Sequence, residues 1–475
     1  MIARYAQCVS LSSFMCVSPT TFLVARKIVW KTVPSVLYAL RLIPSVSLVF
    51  GRWVSLTRYP PPNDVLYQFS KSIPFLPLVA SWEWERFDLY APFIRHFITT
   101  SSSKIMHERD IDPCIFRRLK DEKNAPGPLF PNLRSITLSG HHFYLEQSLT
   151  SICRVEALVD FSAGYVPDTD ALLEAIAPSA KRLECLSLCG PIFHSQRVLQ
   201  LMEVFQSLRK LVISEKASPQ PQNTLIFSFL NDLPPKIRHI SLSFDSKVRK
   251  PLSTPEAPKS LRAGALVGVE HLELEGSAHL MTLILGAGVF RTVFLCFSDA
   301  ELVSSYHTCL EALSRGSSDS LEKLILRSES VVNHDFPTIR CIYPLLTAKK
   351  IRVLEVHSWR HVLNISITDG DIKKIVSSWP QLMRIHMLTS FGSPSADDRE
   401  CQPGLNGLRL LTQLPNISSI AIQSFGQALR LQFPLCDALG QPPLSEELVH
   451  FLTWVKDIHS MKGWLPRFKW TILLY

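Results

Sequence analysis

The stretch "ITDGDIKKIVSSWPQLMRIHM", residues 367–387, changes its hydrophobic period halfway along. Apolar residues first recur at helical spacing after Asp369, a potential helix cap. The Trp379-Pro380 pair ends that pattern, because proline removes a backbone donor and cannot continue a helix. Apolar residues at strand-like spacing then follow at three positions: Leu382, Ile385 and Met387. The stretch therefore predicts one short helix followed by one short strand.

The same apolar-x-x-apolar-x-apolar pattern recurs along most of the chain. Its ten matches begin at Leu133, Leu183, Leu208, Ile237, Val269, Phe290, Leu321, Ile351, Leu382 and Ile417. A degenerate match lies at Val155 and Leu158, with Asp160 in place of the third apolar residue. Counting it, successive matches begin 21 to 35 residues apart, and several intervening segments have a helical period. Periods of roughly 20 to 30 residues with this pattern are typical of leucine-rich repeats.

The repeats predict an α/β fold, a leucine-rich-repeat solenoid (horseshoe) of about ten strand–helix repeats. One strand and one helix cannot bury their own apolar face, so neighbouring repeats stack and share a continuous core. We expect the strands on an inner, concave wall and the helices on the outer wall. An ordinary α/β domain alternates in the same way, but ten units at one period exceed what a doubly wound sheet usually holds.

Composition and pattern divide the chain into four predicted segments. Residues 1–60 form a small helical region, and residues 61–128 form a linker and an N-terminal cap. The repeat domain covers residues 129–430. Residues 431–475 contain an amphipathic helical pattern that suits a C-terminal cap, which the open end of a solenoid requires.

The net charge of +9 is concentrated at the N-terminus. Residues 1–60 carry seven of the 50 basic residues and no acidic residue, so the rest of the chain is close to neutral. A nucleic-acid-binding surface needs lysines and arginines gathered along the folded domain. We therefore expect no nucleic-acid partner.

Residues 33–50 are apolar, but Arg41 lies near their centre and Pro34 and Pro44 interrupt them, so we expect no membrane span. The 11 cysteines are an odd number without a CxxC pair, which indicates free thiols in a reducing compartment, the cytoplasm or the nucleus. The basic, acid-free composition of residues 1–60 also matches a mitochondrial transit peptide, so a mitochondrial location is the alternative.

The sequence contains no motif of a known enzyme class. The patterns GxSxG, HExxH and GxxxxGK[ST] are absent. Gly286-x-Gly288 lacks the third glycine and the acidic residue of a dinucleotide site, and instead predicts a tight turn between repeats. The His141-His142 pair has no third metal ligand nearby. We expect a non-enzyme with no catalytic residue, no metal and no cofactor.

Strand alternation predicts which residues face the concave wall. If the apolar positions of each repeat face the core, the residues between them face the wall. The early strands contribute small polar groups there, such as Ser135 and Ser187. The later strands contribute histidines and charges of both signs: His271, Glu273, Glu275, Lys323, Arg327, Glu355, His357, Arg384 and His386. Such a wall suits a protein partner, and a merely solvated sheet face is the alternative.

The segment "VSPTTFLVARKIVWKTVPSVLYALRLIPSVSLVF", beginning at residue 17, resembles the second half of the F-box of fungal F-box/leucine-rich-repeat proteins. In that family a Ser-Pro segment leads into a helix that ends in Leu-Trp-Arg-Thr or similar, and here the ending is Val-Trp-Lys-Thr at residues 29–32. The stretch "WERFDLYAPFIRHF", residues 84–97, resembles the linker of the same family. Residues 1–16 lack the Leu-Pro…Glu-Ile…Ile-Phe helix with which a full F-box opens.

The resemblance implies a non-catalytic substrate-recognition subunit of a cullin-RING ubiquitin ligase, whose repeats hold a protein substrate. The positions that would bind the adaptor subunit of the ligase are Pro19, Phe22, Leu23, Val29 and Trp30. A packing role for Phe22, Leu23 and Trp30 is an equal alternative. Two other functions stay open: a repeat scaffold without ligase association, and an organellar repeat protein whose first 60 residues are a presequence.

Overall fold

A computed structural model describes residues 18–33, 81–99, 129–138, 157–165, 169–177, 181–190, 192–194, 196–215, 223–244, 261–297, 303–328, 339–358, 367–388, 405–424 and 427–432. The chain divides into two compact units, Met1–Ala217 and Ser218–Tyr475. The predicted C-terminal cap lies outside the described residues, apart from its first two positions.

The first unit is a row of parallel strands in sequence order. Its strands are β1 (Thr32–Val33), β2 (His96–Thr99), β3 (Ser135–Leu138), β4 (Asp160–Tyr165), β5 (Cys185–Cys189) and β6 (Lys210–Glu215). Each strand pairs in parallel with the next. The helices are α1 (Pro19–Val29), α2 (Ser81–Tyr90), α3 (Thr169–Ile176) and α4 (Gln196–Val204), with 3₁₀ helices at Ala91–Phe93 and Ile192–His194.

The second unit repeats the arrangement. Its strands are β7 (His239–Phe244), β8 (His271–Gly276), β9 (Thr292–Phe297), β10 (Lys323–Ser328), β11 (Val353–Ser358), β12 (Arg384–Leu388), β13 (Ser419–Ser424) and β14 (Gln427–Gln432). Strands β7 to β13 pair in parallel in this order, and β14 pairs antiparallel with β13. The helices are α5 (Asn223–Asn231), α6 (Ala278–Leu285), α7 (Val303–Ser317), α8 (Asp369–Ser378) and α9 (Leu405–Thr412), with a 3₁₀ helix at Ile339–Thr347.

One backbone contact recurs where a strand begins. The carbonyl oxygen of Glu322, just before β10, accepts hydrogen bonds from the N–H groups of Arg352 (2.7 Å) and Val353 (3.1 Å) in the next repeat. The same double contact forms at the carbonyls of Lys31, Arg95, Arg134, Val159, Glu184, Arg238, Glu270, Arg291, Arg352 and Met383. Because the geometry returns in repeat after repeat, adjacent strands start level with each other and the register is uniform within each unit.

Apolar residues of the repeat pattern face the core, as predicted. In β10, Leu324 is 0% exposed and Leu326 is 8% exposed, whereas Lys323, Ile325 and Arg327 are half-buried. Strands β3, β5, β6, β7 and β8 alternate in the same way. Helices of successive repeats pack side by side, such as α6 on α7 and α8 on α9. The prediction of a leucine-rich-repeat α/β solenoid is confirmed.

The stretch at residues 367–387 folds as one helix and one strand, α8 and β12, but its helix cap differs from the prediction. Thr368, not Asp369, is the N-cap. Its hydroxyl accepts a hydrogen bond from the N–H of Asp371, and the Asp371 carboxylate accepts one from the N–H of Thr368. This reciprocal capping box satisfies two backbone donors that the helix leaves unpaired.

The degenerate repeat lies three residues later than the sequence pattern placed it. Its buried positions are Leu158, Phe161 and Ala163, all within 3% exposure, so it does not begin at Val155. Asp160 is therefore not the third core position, and it pairs in register with Ser135 and Cys185. The sequence signal for this register is weak, because a small alanine occupies the third apolar site.

Two strands precede the predicted start of the repeat domain at residue 129. Strand β1 pairs with β2, and β2 pairs with β3, all in parallel. Ile94 and Phe97 are both 0% exposed and occupy the first two core positions of such a repeat. The third position of the pattern falls on Thr99. Because threonine is polar, this segment does not match a pattern of three apolar residues.

Gly288, in the predicted turn between repeats, leaves room for the packed side chain of Phe290. A Cβ atom at Gly288 would lie 2.5 Å from Cζ of Phe290, whose side chain is 0% exposed. We expect Gly288→Ala to lower the free energy of unfolding by about 1–3 kcal/mol through overpacking, measured by urea denaturation. Gly286→Ala is the matched control, because a Cβ atom there would lie 3.6 Å from the nearest atom, at a φ of −71°. Equal losses in the two variants would contradict this role of Gly288.

Candidate partner-binding site

The positions of β7 to β13 that alternate with the core positions, here called the second-unit wall, form register-matched rows, in which Cys296, Ser419 and Ala421 are buried. The first row is His239, His271, Thr292, Lys323, Val353, Arg384 and Ser419. The middle row is Ser241, Glu273, Phe294, Ile325, Glu355, His386 and Ala421. The third row is Ser243, Glu275, Cys296, Arg327 and His357. The nine wall residues predicted from the sequence all occupy these positions in the register; β11 departs from strict alternation, because Val356 is half-buried like its neighbours Glu355 and His357.

A histidine pair and a glutamate lie at the β7–β8 end of the wall. His239 Nε2 lies 3.2 Å from Glu273 Oε1, and the rings of His239 and His271 have centroids 5.8 Å apart. Burial, and then the neighbouring His239, lower the pKa of His271 below its ordinary value. This end of the wall therefore holds one engaged carboxylate and a closely spaced pair of imidazoles.

Glu355 is the centre of a second cluster of charges. Its Oε1 accepts a hydrogen bond from Arg384 Nη1 at 3.1 Å, and its Oε2 lies 3.3 Å from His357 Nε2. Burial alone would raise the pKa of Glu355, but the hydrogen bonds from Arg384 and His357 outweigh it, so the pKa is lowered. His386 Nε2 lies 2.7 Å from Ser419 Oγ in the next strand. The Glu355 carboxylate is thus already engaged within the wall.

Glu355→Gln is expected to change how stability depends on pH. Since the folded pKa is below the ordinary value of 4.5, the charged carboxylate stabilises the fold above that pH. The stabilisation is lost as the pH falls through the folded pKa. Denaturation from pH 7 to pH 3 should therefore show the wild type losing its advantage over the variant below about pH 4.5. If the wild type instead became more stable relative to Glu355→Gln as the pH falls, the pairing of Glu355 with Arg384 and His357 would be contradicted.

The wall also has an apolar part, of which the sequence analysis did not identify Phe294. Phe294 and Ile325 are cross-strand neighbours in register, and both are half-buried on the outward face. The Arg327 guanidinium lies 5.0 Å from the centroid of the Phe294 ring, within cation–π range. Strand alternation applied to "TVFLCF" in β9 places Phe294 at an outward position, so the sequence does contain this signal.

The first unit presents a more polar face. One register row contains His96, Ser135, Asp160, Cys185 and Lys210. Burial is the largest cause of three pKa shifts in it: the pKa of His96 is lowered and those of Asp160 and Cys185 are raised. A raised pKa makes the Cys185 thiol a poor nucleophile. Within the described ranges, no three His, Cys, Asp or Glu side chains are grouped so that they could hold a metal ion.

The five residues predicted to bind an adaptor subunit differ in packing and exposure. Phe22 packs edge-on against Tyr90, with ring centroids 6.4 Å apart, and Trp30 lies 4.8 Å from the same ring. Leu23 is instead 49% exposed, and its neighbour Val24 is 53% exposed. Pro19 is exposed at the first turn of α1 and Val29 is half-buried near its end. Helix α1 thus packs by one face and leaves an apolar pair on its surface.

In the part of the chain that the structure describes, no helix combines the length and apolar character needed to span a bilayer.

Comparisons with known proteins find similarity only among solved structures. No family model matches the chain, and no curated protein is significantly similar in sequence. A crystal structure of the Rad7 and Elc1 complex in yeast matches at 13% identity and a TM-score of 0.37, covering 68% of this chain and 76% of that chain. The leucine-rich repeat-containing protein LegL7 from Legionella pneumophila matches at 13% identity and a TM-score of 0.39, covering 69% and 92%. The fold assignment rests on the strand pairing and core alternation of this chain itself.

Proposed function

We propose that the protein is a non-catalytic substrate-recognition subunit of a cullin-RING ubiquitin ligase, which binds a protein substrate on the second-unit wall. The wall supports the binding role because it combines charges of both signs with half-buried apolar residues, the composition expected where two proteins meet. We place the protein in the cytoplasm or the nucleus, in keeping with the free thiols of Cys185, Cys189 and Cys341.

One observation carries the ligase part of the proposal. Helix α1, which the F-box resemblance covers, exposes Leu23 and Val24 side by side. Exposed apolar residues in a cluster are a common mark of a protein-binding surface. Helix α1 also leads directly into β1, so an adaptor bound there would be attached to the repeats through a short, ordered connection.

A repeat scaffold without a ligase is the second candidate, and the packing of α1 favours it. Phe22 and Trp30 are engaged with Tyr90, so fewer of the family's docking positions are free for an adaptor. A cleaved presequence is less well supported, because Thr32 and Val33 pair with His96 and Phe97 in the sheet. Cleavage near residue 60 would remove that strand.

Binding to the adaptor subunit of the ligase separates the two candidates. In a pull-down with purified adaptor, the full-length chain is expected to bind, and Leu23→Asp is expected to weaken binding at least about tenfold, since it places a charge in an apolar contact. Val204→Asp is the matched control, because Val204 is 52% exposed on α4. It should leave binding unchanged.

Either of two results would contradict the ligase proposal. If the wild type does not bind the adaptor, the scaffold becomes the better account. If Leu23→Asp and Val204→Asp bind as well as the wild type, the adaptor contacts another surface and α1 has no docking role.

A further inference from the structure

We propose that the second-unit wall binds an extended segment of a partner protein. The segment carries one apolar side chain between a basic and an acidic side chain. The inference rests on the proposed protein-binding function and adds the chemistry of the bound segment. The contact surface is the pair Phe294 and Ile325, here called the apolar centre.

The apolar centre has the properties of an anchor site. Phe294 and Ile325 lie opposite each other on adjacent parallel strands, about 4.8 Å apart. Both point away from the core yet are only partly exposed, and Arg327 covers part of the Phe294 ring. Aromatic residues in partly enclosed sites contribute a large share of binding energy at protein interfaces.

Charge is distributed unequally about the apolar centre. On one side, β8 presents Glu273 in register with Phe294, and Glu275 two residues further along. On the other side, β10 presents Lys323, two residues before Ile325. A segment crossing from β8 to β10 would therefore meet negative charge, then the apolar centre, then positive charge.

Two of these charges are available to a partner. Among the described residues, Glu275 and Lys323 have no ion-pair or side-chain hydrogen-bond partner, and each is half-buried. Glu273 and Glu355 differ, because they lie against His239 and against Arg384 and His357 respectively. Glu275 and Lys323 are thus the residues that read the charge of the segment.

The register sets the spacing of the complementary charges. Glu275 and Lys323 are two strands apart and offset by four positions along the strands. The diagonal distance between the two backbone positions is therefore about 16 Å. An extended chain covers that distance in about five residues. The expected segment carries Lys or Arg at one end of such a stretch, Asp or Glu at the other, and an aromatic or aliphatic residue between them.

Selection from a displayed random-peptide library on the full-length chain tests this proposal. The wild type should select peptides with the basic–apolar–acidic order, and Phe294→Ala should reduce their affinity at least about tenfold. Glu275→Lys should also lose affinity and select an acidic residue where the wild type selects a basic one. Lys323→Glu should invert the preference at the other end.

Glu311→Lys provides the matched control, because Glu311 is an exposed glutamate on α7, remote from the wall positions of the strands. It should select the same peptides as the wild type. Melting curves of all variants establish that each is folded before selection.

Three results would overturn the proposal. Selected peptides that bind equally well to Phe294→Ala do not use the apolar centre. Peptides that depend on Phe294, but carry the same charges whether they are selected on the wild type, on Glu275→Lys or on Lys323→Glu, show that these two residues do not determine the order of charges. A failure to select any peptide excludes recognition of a short extended segment. Adaptor binding is measured separately, so none of these results decides the ligase part of the proposed function.

Discussion

Leu324→Asp is expected to unfold the repeats around β10, with a loss of more than about 5 kcal/mol in the free energy of unfolding. Leu324 is 0% exposed, and its register partners Val293 and Leu354 are 0% exposed as well. Removing a buried leucine side chain costs about 2–5 kcal/mol, and a carboxylate without a partner adds a desolvation penalty. The total is comparable with the stability of a whole domain. Because repeats are stabilised by their neighbours, the loss should spread to adjacent strands.

Ile325→Asp is the matched control for this prediction, since it makes the same charge change one residue later, on the opposite face of β10. Ile325 is half-buried on the outward face, so we expect a loss of only about 1–2 kcal/mol from reduced strand propensity and reduced apolar burial. Thermal and urea unfolding followed by circular dichroism provide the comparison. An unchanged melting profile for Leu324→Asp, or equal losses in both variants, would contradict the assignment of faces.

Trp379→Ala should cost about 3–5 kcal/mol, the range for removing a large buried aromatic side chain. Trp379 is 0% exposed at the C-terminal end of α8, and its Nε1 donates a hydrogen bond to the carbonyl oxygen of Leu345 at 3.2 Å. The indole therefore joins α8 to the 3₁₀ helix of the preceding repeat. Its removal leaves both a cavity and an unpaired carbonyl group.

Trp379→Phe separates these two contributions. It keeps most of the packing but lacks the N–H donor, so we expect a smaller loss of about 1–3 kcal/mol. Urea denaturation should therefore rank the variants wild type, Trp379→Phe and Trp379→Ala in falling stability. A phenylalanine variant as unstable as the alanine variant would show that the hydrogen bond, and not the packing, dominates.

The strand positions of most repeats could be predicted from the sequence because burial imposes a strict chemical requirement. A leucine or isoleucine at each core position leaves a periodic signal, as at Leu321, Leu324 and Leu326. The signal fails where a small or polar residue fits the same place. Ala163 in β4 is such a residue, and the sequence pattern there was shifted by three positions.

Contacts between distant segments could not be predicted in the same way. Tyr90 lies some sixty residues beyond Trp30 in sequence, and nothing in either local pattern indicates that their rings meet. Alternation is a local rule, so it gives the strand positions of the nine charged and histidine residues of the wall; that they bind a partner stays a prediction. Which of them are already engaged, such as Glu355 with Arg384, depends on a register between strands about thirty residues apart.

The measurement that tests the account most directly is hydrogen–deuterium exchange of the full-length chain with and without the purified adaptor subunit of the ligase. If the protein is a substrate-recognition subunit, the backbone amides of α1 that follow Pro19 should exchange more slowly when the adaptor is present, and those of the second-unit wall should not change. Unchanged exchange throughout α1 at saturating adaptor would contradict the account.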